Sequence, residues 1–332
     1  MINAKTVQDQ VAAVSSTSQW RLVWRGFRKR RLGMAGLIVL SVLVLAVIFV
    51  PIFYPNPYES GPIADNTLWN APIGRVDPSN GHVYILGGDA YGRDNFSLLF
   101  QAGRMTLLVA FVPAVLVLFI GSIIGAVAGY YGGGLDIAFM RTADFLIALP
   151  LLPAYVIAIR IIGSGSQRSS ISDQLWPTAF SLIAVFVLFG WMGISRLVRS
   201  LALSLREQSF VEAARALGAS NRRIIFRHLI PNMVGPLIVA CMFAIGDFVI
   251  MEAILAYFGL SFHDSLAPSV VSWGNMLASN QSWMYLVTNF NPFQDIRLYL
   301  MVFPSVLILI TVLCVNFIGD ALRDVLDPRL HV

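Results

Sequence analysis

Six long apolar runs punctuate the chain, at residues 32–53, 105–130, 135–162, 175–198, 233–258 and 298–322. Each is long enough to cross a hydrocarbon core of ~30 Å as a helix. The pattern predicts an all-α membrane protein with six transmembrane helices. Two of the polar intervals carry information of their own. Residues 54–101 are rich in Pro, Gly, Asn and Asp and predict a sizeable loop outside the bilayer. Residues 204–232 interrupt the apolar pattern between the fourth and fifth runs, and their first part is written as a short helix. Ser209 followed three residues later by Glu212 predicts a capping box, each side chain satisfying a free backbone N–H. Gly218 stands where a helix end favours positive φ. Between them Phe210, Ala213, Ala214 and Leu217 fall on one helical face. An apolar face on a segment in water needs somewhere to dock.

Composition and charge place this pattern in a membrane and orient it. With 57% hydrophobic residues, 12% charged residues and a mean hydropathy of +0.73, the chain is excluded from the class of soluble domains, where about a quarter of residues are charged. The net charge of +5 is modest, and nothing in it calls for nucleic acid. Residues 1–31 carry seven basic side chains and one acidic, and residues 199–231 carry six and two. The 54–101 loop has five acids against Arg75 and Arg93, and residues 259–294 hold Asp264 alone. The positive-inside rule then puts both termini and the 204–232 loop in the cytoplasm. Residues 1–31 read as a polar tail leading into a basic, aromatic helix. Trp20, Trp24 and Phe27 recur on one face and Arg21, Arg25 and Arg28 on the next, as in a helix lying in the membrane interface, the alternative being a merely solvated lead-in. The 32–53 run is too long for a signal-peptide core and lacks a small-residue cleavage site, so it is expected to stay as an anchor. The division that follows is a tail and interfacial helix (1–31), a first span (32–53), an outer loop (54–101) and a five-helix core (102–332) containing the 204–232 loop.

Within the spans, Gly121, Gly125 and Gly129 form a doubled small-xxx-small ladder, a helix-packing face if it is not chance in a Gly-rich chain. Pro113, Pro150, Pro153 and Pro304 are expected to kink or break their spans. Arg141 with Asp144, and Asp320 with Arg323, are spaced as local pairs at the cytoplasmic ends of spans three and six. Asp247 and Glu252 lie roughly 22 and 30 Å beyond Asn232 along span five. They either face a cavity, where they would meet a cationic substrate group, or bond to neighbouring helices and the outer interface, and Arg160 is a possible partner. No G-x-x-x-x-G-K-[ST] occurs, and the Gly-rich GYYGGGLD lacks the lysine of a phosphate loop. His82, His228, His263 and His331 are scattered, and Cys241 and Cys314 sit inside apolar runs. A metal site or a resident cofactor has no ligands to draw on. Asn95 and Asn280 begin glycosylation-like triplets that short sequences produce by chance.

Several separated stretches resemble one family. EAARALG and LIPN, with Glu212, Ala213, Ala214, Gly218 and Pro231 at matching positions, resemble the EAA loop of ABC importer permeases. His228 and Ile230 are mild departures from that pattern. LGGDAYGRDNFSLLFQAGRMTLLV, GAVAGYYGGGLDIAFMRTADFLIALP, ILAYFGLSF, SWGNML and NFIGDALRDVLDPRL resemble the dipeptide, oligopeptide and nickel class, and the N-terminal lead resembles its C-type permease. The resemblance implies a type I importer permease fold whose coupling helix docks on a separate ATPase through Glu212, Ala213, Ala214 and Gly218, and the apolar face adds Phe210 and Leu217 as side chains able to fill pockets there. It also implies a second permease subunit, two ATP-binding subunits that hold ATP and Mg, an extracytoplasmic binding protein and a plasma-membrane location. Short peptides are the expected cargo, with nickel or another small solute as alternatives. An ion-driven transporter using Asp247 and Glu252 is the reading from a different class. Two departures stand out: a lengthened 280–297 segment with Trp283, Tyr285, Phe290 and Phe293, and an acid at Asp247 where small or apolar residues are usual.

Overall fold

A computed structural model describes residues 19–55, 71–89, 92–163, 172–260, 272–286 and 298–326. The expectations for residues 1–18, for Asp264, His263 and His331, for the 287–297 part of the lengthened segment and for the final DPRL fall outside them, as do the side chains of Trp20, Trp283 and Tyr285. The described helices are α1 (Gln19–Lys29), α2 (Arg31–Phe53), α3 (Asn95–Tyr131), α4 (Gly133–Ala148), α5 (Leu151–Gly163), α6 (Ser172–Leu205), α7 (Ser209–Ala216), α8 (Asn221–Ile224), α9 (Ile230–Tyr257), α10 (Trp273–Leu286) and α11 (Leu298–Leu326). A π-turn, Ile225–Leu229, joins α8 to α9, so that Asn221–Tyr257 runs as one rod. Strands β1 (Arg75–Val76) and β2 (Val83–Tyr84) form a small antiparallel hairpin. Among the described residues five helices are long and apolar enough to cross a membrane, and the bent pair α4–α5, counted as one broken span, makes six.

The break in the third span has a steric cause. Pro150 bars the helical conformation to the residue before it, and Leu149 is extended at φ −71°, ψ 136°. The two halves meet at 99°. Pro51 acts differently. It has no N–H for the Val47 carbonyl four residues back, and Arg104 of α3 supplies the donor, its Nε reaching Val47 O at 3.0 Å and its Nη2 Ile48 O at 2.8 Å. An arginine in a span is thereby used up on backbone that the proline left bare.

α3 starts at Asn95, inside the stretch that the sequence pattern assigned to the outer loop. Asp94 is its cap, accepting from Phe96 N at 3.2 Å and Ser97 N at 3.3 Å. Burial raises the Asp94 carboxyl above its ordinary range, against the lowering effect of those two N–H groups and of His82. The loop before it is folded around this start. Asn95 Nδ2 donates to Gly87 O, Tyr84 OH to Gly92 O, and Arg93 pairs with Asp89 at 2.6 Å.

Among the described residues the largest helix interface joins α3 to α6, and the glycine ladder lies in it. A Cβ on Gly121 would stand 2.8 Å from Ile194, one on Gly125 2.4 Å from Ser195 O, and one on Gly129 2.7 Å from both Ala202 and Arg199 O. Backbone meets backbone there, which only glycine permits. α2 uses the same device on α11, through Gly33 beside Ala321 and Gly36 beside the Cys314 carbonyl. α1 also lies on α11, and this corrects one expectation: Phe27 is only 3% exposed, its ring beside Gly33 and stacked on Trp24, while Trp24 and Leu22 remain exposed. Two ion pairs also differ from expectation. Asp144 pairs with Arg196 of α6 and Asp324 with Arg30, whereas among the described residues no ion pair joins Arg141 to Asp144 or Asp320 to Arg323. Helix packing brings these distant charges closer than the three-residue spacing does.

Gly125→Val is expected to destabilise the solubilised protein by about 1–3 kcal/mol, since the obstruction is a backbone carbonyl. Gly134→Ala, where a Cβ meets nothing within 4 Å, should leave the unfolding temperature unchanged.

Candidate functional site

The 204–232 loop emerges from the ends of α3 and α6, where α4 is clamped beside them. Arg199 grips Asp136 in a two-pronged pair, with Nη2 to Oδ2 at 2.7 Å. α3 ends where Gly132 (φ +66°) and Gly133 (φ +58°) turn the chain in a left-handed conformation. The loop is then pinned to that end from three directions. Arg206 Nη1 donates to Gly129 O at 3.2 Å, Tyr130 OH donates to Asn221 Oδ1 at 2.8 Å, and Arg215 donates to Tyr130 OH at 3.5 Å with its guanidinium 5.9 Å from the Tyr130 ring centre. None of these three ties was visible in the sequence, because each joins residues more than 70 positions apart.

α7 carries out part of its written programme. Gly218 has φ +78°, and its N–H bonds to Arg215 O at 3.0 Å while Ala219 N bonds to Ala214 O at 3.0 Å, the two bonds of a Schellman end. The capping box does not form. Gln208 is the N-cap residue and makes no side-chain cap bond; its carbonyl accepts from Val211 N at 2.9 Å and Glu212 N at 3.3 Å. Ser209 is already inside the first turn, one position too late to cap. The Glu212 side chain is exposed and makes no hydrogen bond or ion pair among the described residues, so its carboxylate has no local task.

The apolar face also divides. Val211, which the spacing argument passed over, is fully buried, and Ala214 turns inward to pack on the core. Phe210, Ala213 and Leu217 point away from the bundle, with Leu217 88% exposed. The helix is held by one face and offers the other. Past it, Ser220 caps α8 by accepting from Arg223 N, and a cleft of about 380 Å³ lined by Ser220, Arg222, Arg223 and Phe226 opens there. The π-turn follows: Ile230 N–H reaches Ile225 O five residues back, just ahead of Pro231, which has no N–H to continue the ladder. Ile225 and Leu229 are buried beneath it.

The two acids of span five occupy different surroundings. Glu252 is 0% exposed and accepts from Ser272 Oγ at 2.6 Å. The same hydroxyl accepts from Asn275 N at 3.1 Å and so caps α10. This explains SWGNML physically. Trp273 is buried between α3 and α9, its Nε1 on Leu99 O at 2.8 Å and its backbone N on Thr106 Oγ1 at 3.0 Å, and a Cβ on Gly274 would stand 2.8 Å from Ala253 Cα. Glu252 therefore locks two helices together and, among the described residues, is closed off from solvent. Asp247 is exposed and makes no hydrogen bond or ion pair among the described residues, Arg160 included. Among the described residues no three His, Cys, Asp or Glu side chains converge as metal ligands.

Comparison with known proteins adds to this geometry. Residues 121–332 match the family described as binding-protein-dependent transport system inner membrane component, and residues 18–72 match the N-terminal transmembrane domain of oligopeptide transport permease C. The chain is 30% identical over 315 residues to an oligopeptide transport system permease protein of Haemophilus influenzae, covering 94% of this chain and 89% of the relative. It is 32% identical over 329 residues to a dipeptide transport system permease protein of Alkalihalophilus pseudofirmus, covering 99% and 95%. It is 32% identical over 317 residues to a glutathione transport system permease protein of Pectobacterium atrosepticum, covering 95% and 93%.

Tyr130→Phe removes one donor and one acceptor that hold the loop and is expected to cost about 1 kcal/mol locally. Faster amide exchange over residues 209–221, with the spans unchanged, is the readout.

Proposed function

The chain belongs to the family of binding-protein-dependent transport system inner membrane components, a multi-pass permease subunit of an ATP-driven importer, and we propose that it is the half of a permease pair that passes short peptides and takes its drive through α7. Peptide cargo is supported by the dipeptide and oligopeptide names of its relatives and by the match of its N-terminal region to a permease C domain. The glutathione relative extends the range to other small solutes of that kind. A second permease subunit completes the path. Two ATP-binding subunits, which hold the ATP and Mg, dock at the basic end, and the binding protein delivers cargo at the end carrying the β-hairpin. Both termini and the α7 loop lie in the cytoplasm, where the basic residues concentrate.

The observation that carries the coupling role is the exposed face of α7. Phe210 and Leu217 are large apolar side chains left in water on a helix whose opposite face is fixed by Val211 and Ala214. Ala213 between them lets a partner surface approach closely, Gly218 sets the helix end, and Glu212, free of local bonds, is placed to meet a cation of the partner. Movement of the ATPase pair then reaches the spans by two routes, through Tyr130 and Arg206 to α3 and through the α8–α9 rod to span five. That is rigid-element transmission of the hinge or rocking kind.

Leu217→Asp and Phe210→Ala are each expected to cut co-purification of the ATP-binding subunits about tenfold, equivalent to about 1.4 kcal/mol. The unfolding temperature of the isolated chain should stay unchanged, because both side chains project away from the bundle. Retention of the ATPase by Leu217→Asp would refute α7 as the docking element.

A further inference from the structure

The face of α9 that the other described residues leave open is a stripe through Pro236, Asp247, Ile250 and Tyr257, which are exposed, with Ile254 half-buried beside them. Its neighbours on the helix are committed: Ile245, Phe248, Val249 and Glu252 are buried, and Gly246 abuts Val315 and Asn316 of α11. Asp247 sits in the interior of the span, roughly 22 Å beyond Asn232. The acids at the basic ends of spans three and six that pair do so with arginine, at Asp136–Arg199, Asp144–Arg196 and Asp324–Arg30, and Glu252 is bonded to Ser272. Asp247 has no such partner among the described residues, while Tyr155 of α5 lies within electrostatic range of it. A cleft of about 360 Å³, lined by Ile250 and Tyr257 of α9, Leu277 of α10 and Ser305 of α11, opens farther along the same stripe.

A carboxylate turned toward hydrocarbon is strongly disfavoured, so the stripe faces water or protein. We propose that it lines the water-filled path and that Asp247 is the counter-charge that favours substrates bearing a positively charged side chain. This rests on the peptide-permease reading above and adds a specificity determinant to it. The chemistry recognised is an ammonium or guanidinium group in passage. A single carboxylate within a span, unneutralised by the other described residues, lowers the barrier for a passing cation and raises it for an anion.

The test uses the complete transporter in proteoliposomes, with Ala-Lys-Ala, Ala-Ala-Ala and Ala-Glu-Ala as probes. Asp247→Asn should lower kcat/KM for Ala-Lys-Ala at least tenfold relative to Ala-Ala-Ala and leave or raise that for Ala-Glu-Ala, while Asp247→Glu keeps the lysine preference. A parallel measurement introduces Asp247→Cys into a chain with Cys241→Ala and Cys314→Ala, and expects labelling by a membrane-impermeant methanethiosulfonate. Equal loss for all three peptides, loss of the second permease from purified Asp247→Asn complexes, or no labelling would each overturn the proposal; the second of these would make Asp247 a subunit contact. If the variants leave peptide selectivity unmoved while Leu217→Asp still releases the ATPase, this inference alone fails. If the wild type takes up none of the three peptides, the peptide reading fails, and labelling still decides whether Asp247 faces water.

Discussion

Helices in lipid gain nothing from hiding apolar surface from one another, since the solvent is as apolar as they are. What brings α3 and α6 together is the absence of side chains at Gly121, Gly125 and Gly129, which lets α3 rest on the carbonyls and short side chains of α6. Dispersion between closely packed backbones replaces the drive that water supplies elsewhere. The rest of the functional end is positioned from this contact. Asp136 and Asp144 of α4 reach Arg199 and Arg196, on the stretch of α6 that faces the ladder. Arg206 and Tyr130 bind at the last rung, so α7 hangs from this close-packed interface.

That suspension gives α7 its mechanical character. A helix of eight residues is too short to persist alone in water. This one is held by Val211 and Ala214 from beneath, by the Schellman end at Gly218, and by Tyr130 through Asn221 and Arg215. Its outward face is thereby held in place, which suits the proposed role of a handle. The π-turn at Ile225–Leu229 sits where the handle joins span five. A widened turn is a place where a long rod changes direction with little loss of hydrogen bonding, and such turns recur at functional positions.

At the opposite end polar groups do the work that glycines do at the first. Glu252, Ser272, Asn275 and the Trp273 indole form a buried knot whose bonds cross between elements or cap α10. Its burial makes it exacting, because a buried polar group without a partner costs far more than a formed bond contributes. Glu252 is committed there, and Asp247, five residues earlier, is not. The two acids look alike along the sequence, yet the helix turns one into the knot and the other onto an open stripe.

The apolar runs, the charge asymmetry and the helix-end signal at Gly218 were legible in the sequence because each depends on residues near one another in the chain: run length on the rise of a helix, positive φ on a missing Cβ. The glycine ladder was legible as a repeat, but only the fold identifies α6 as what it meets. Local rules failed where a tertiary contact or a one-residue shift of frame outweighed them. Ser209 falls one place inside the helix, which undoes the capping box and leaves Glu212 free. Phe27 found Gly33 beside α11, and Asp144 found Arg196. The 54–101 stretch read as loop because its composition is that of turns, and the extra helix from Asn95 depends on a cap at Asp94 whose neighbours come from the folded loop. Which acid is locked and which is open, and which face of α7 is held and which is offered, depended on how the helices rotate against one another. That rotation is set by packing between distant segments, which no stretch of sequence contains by itself.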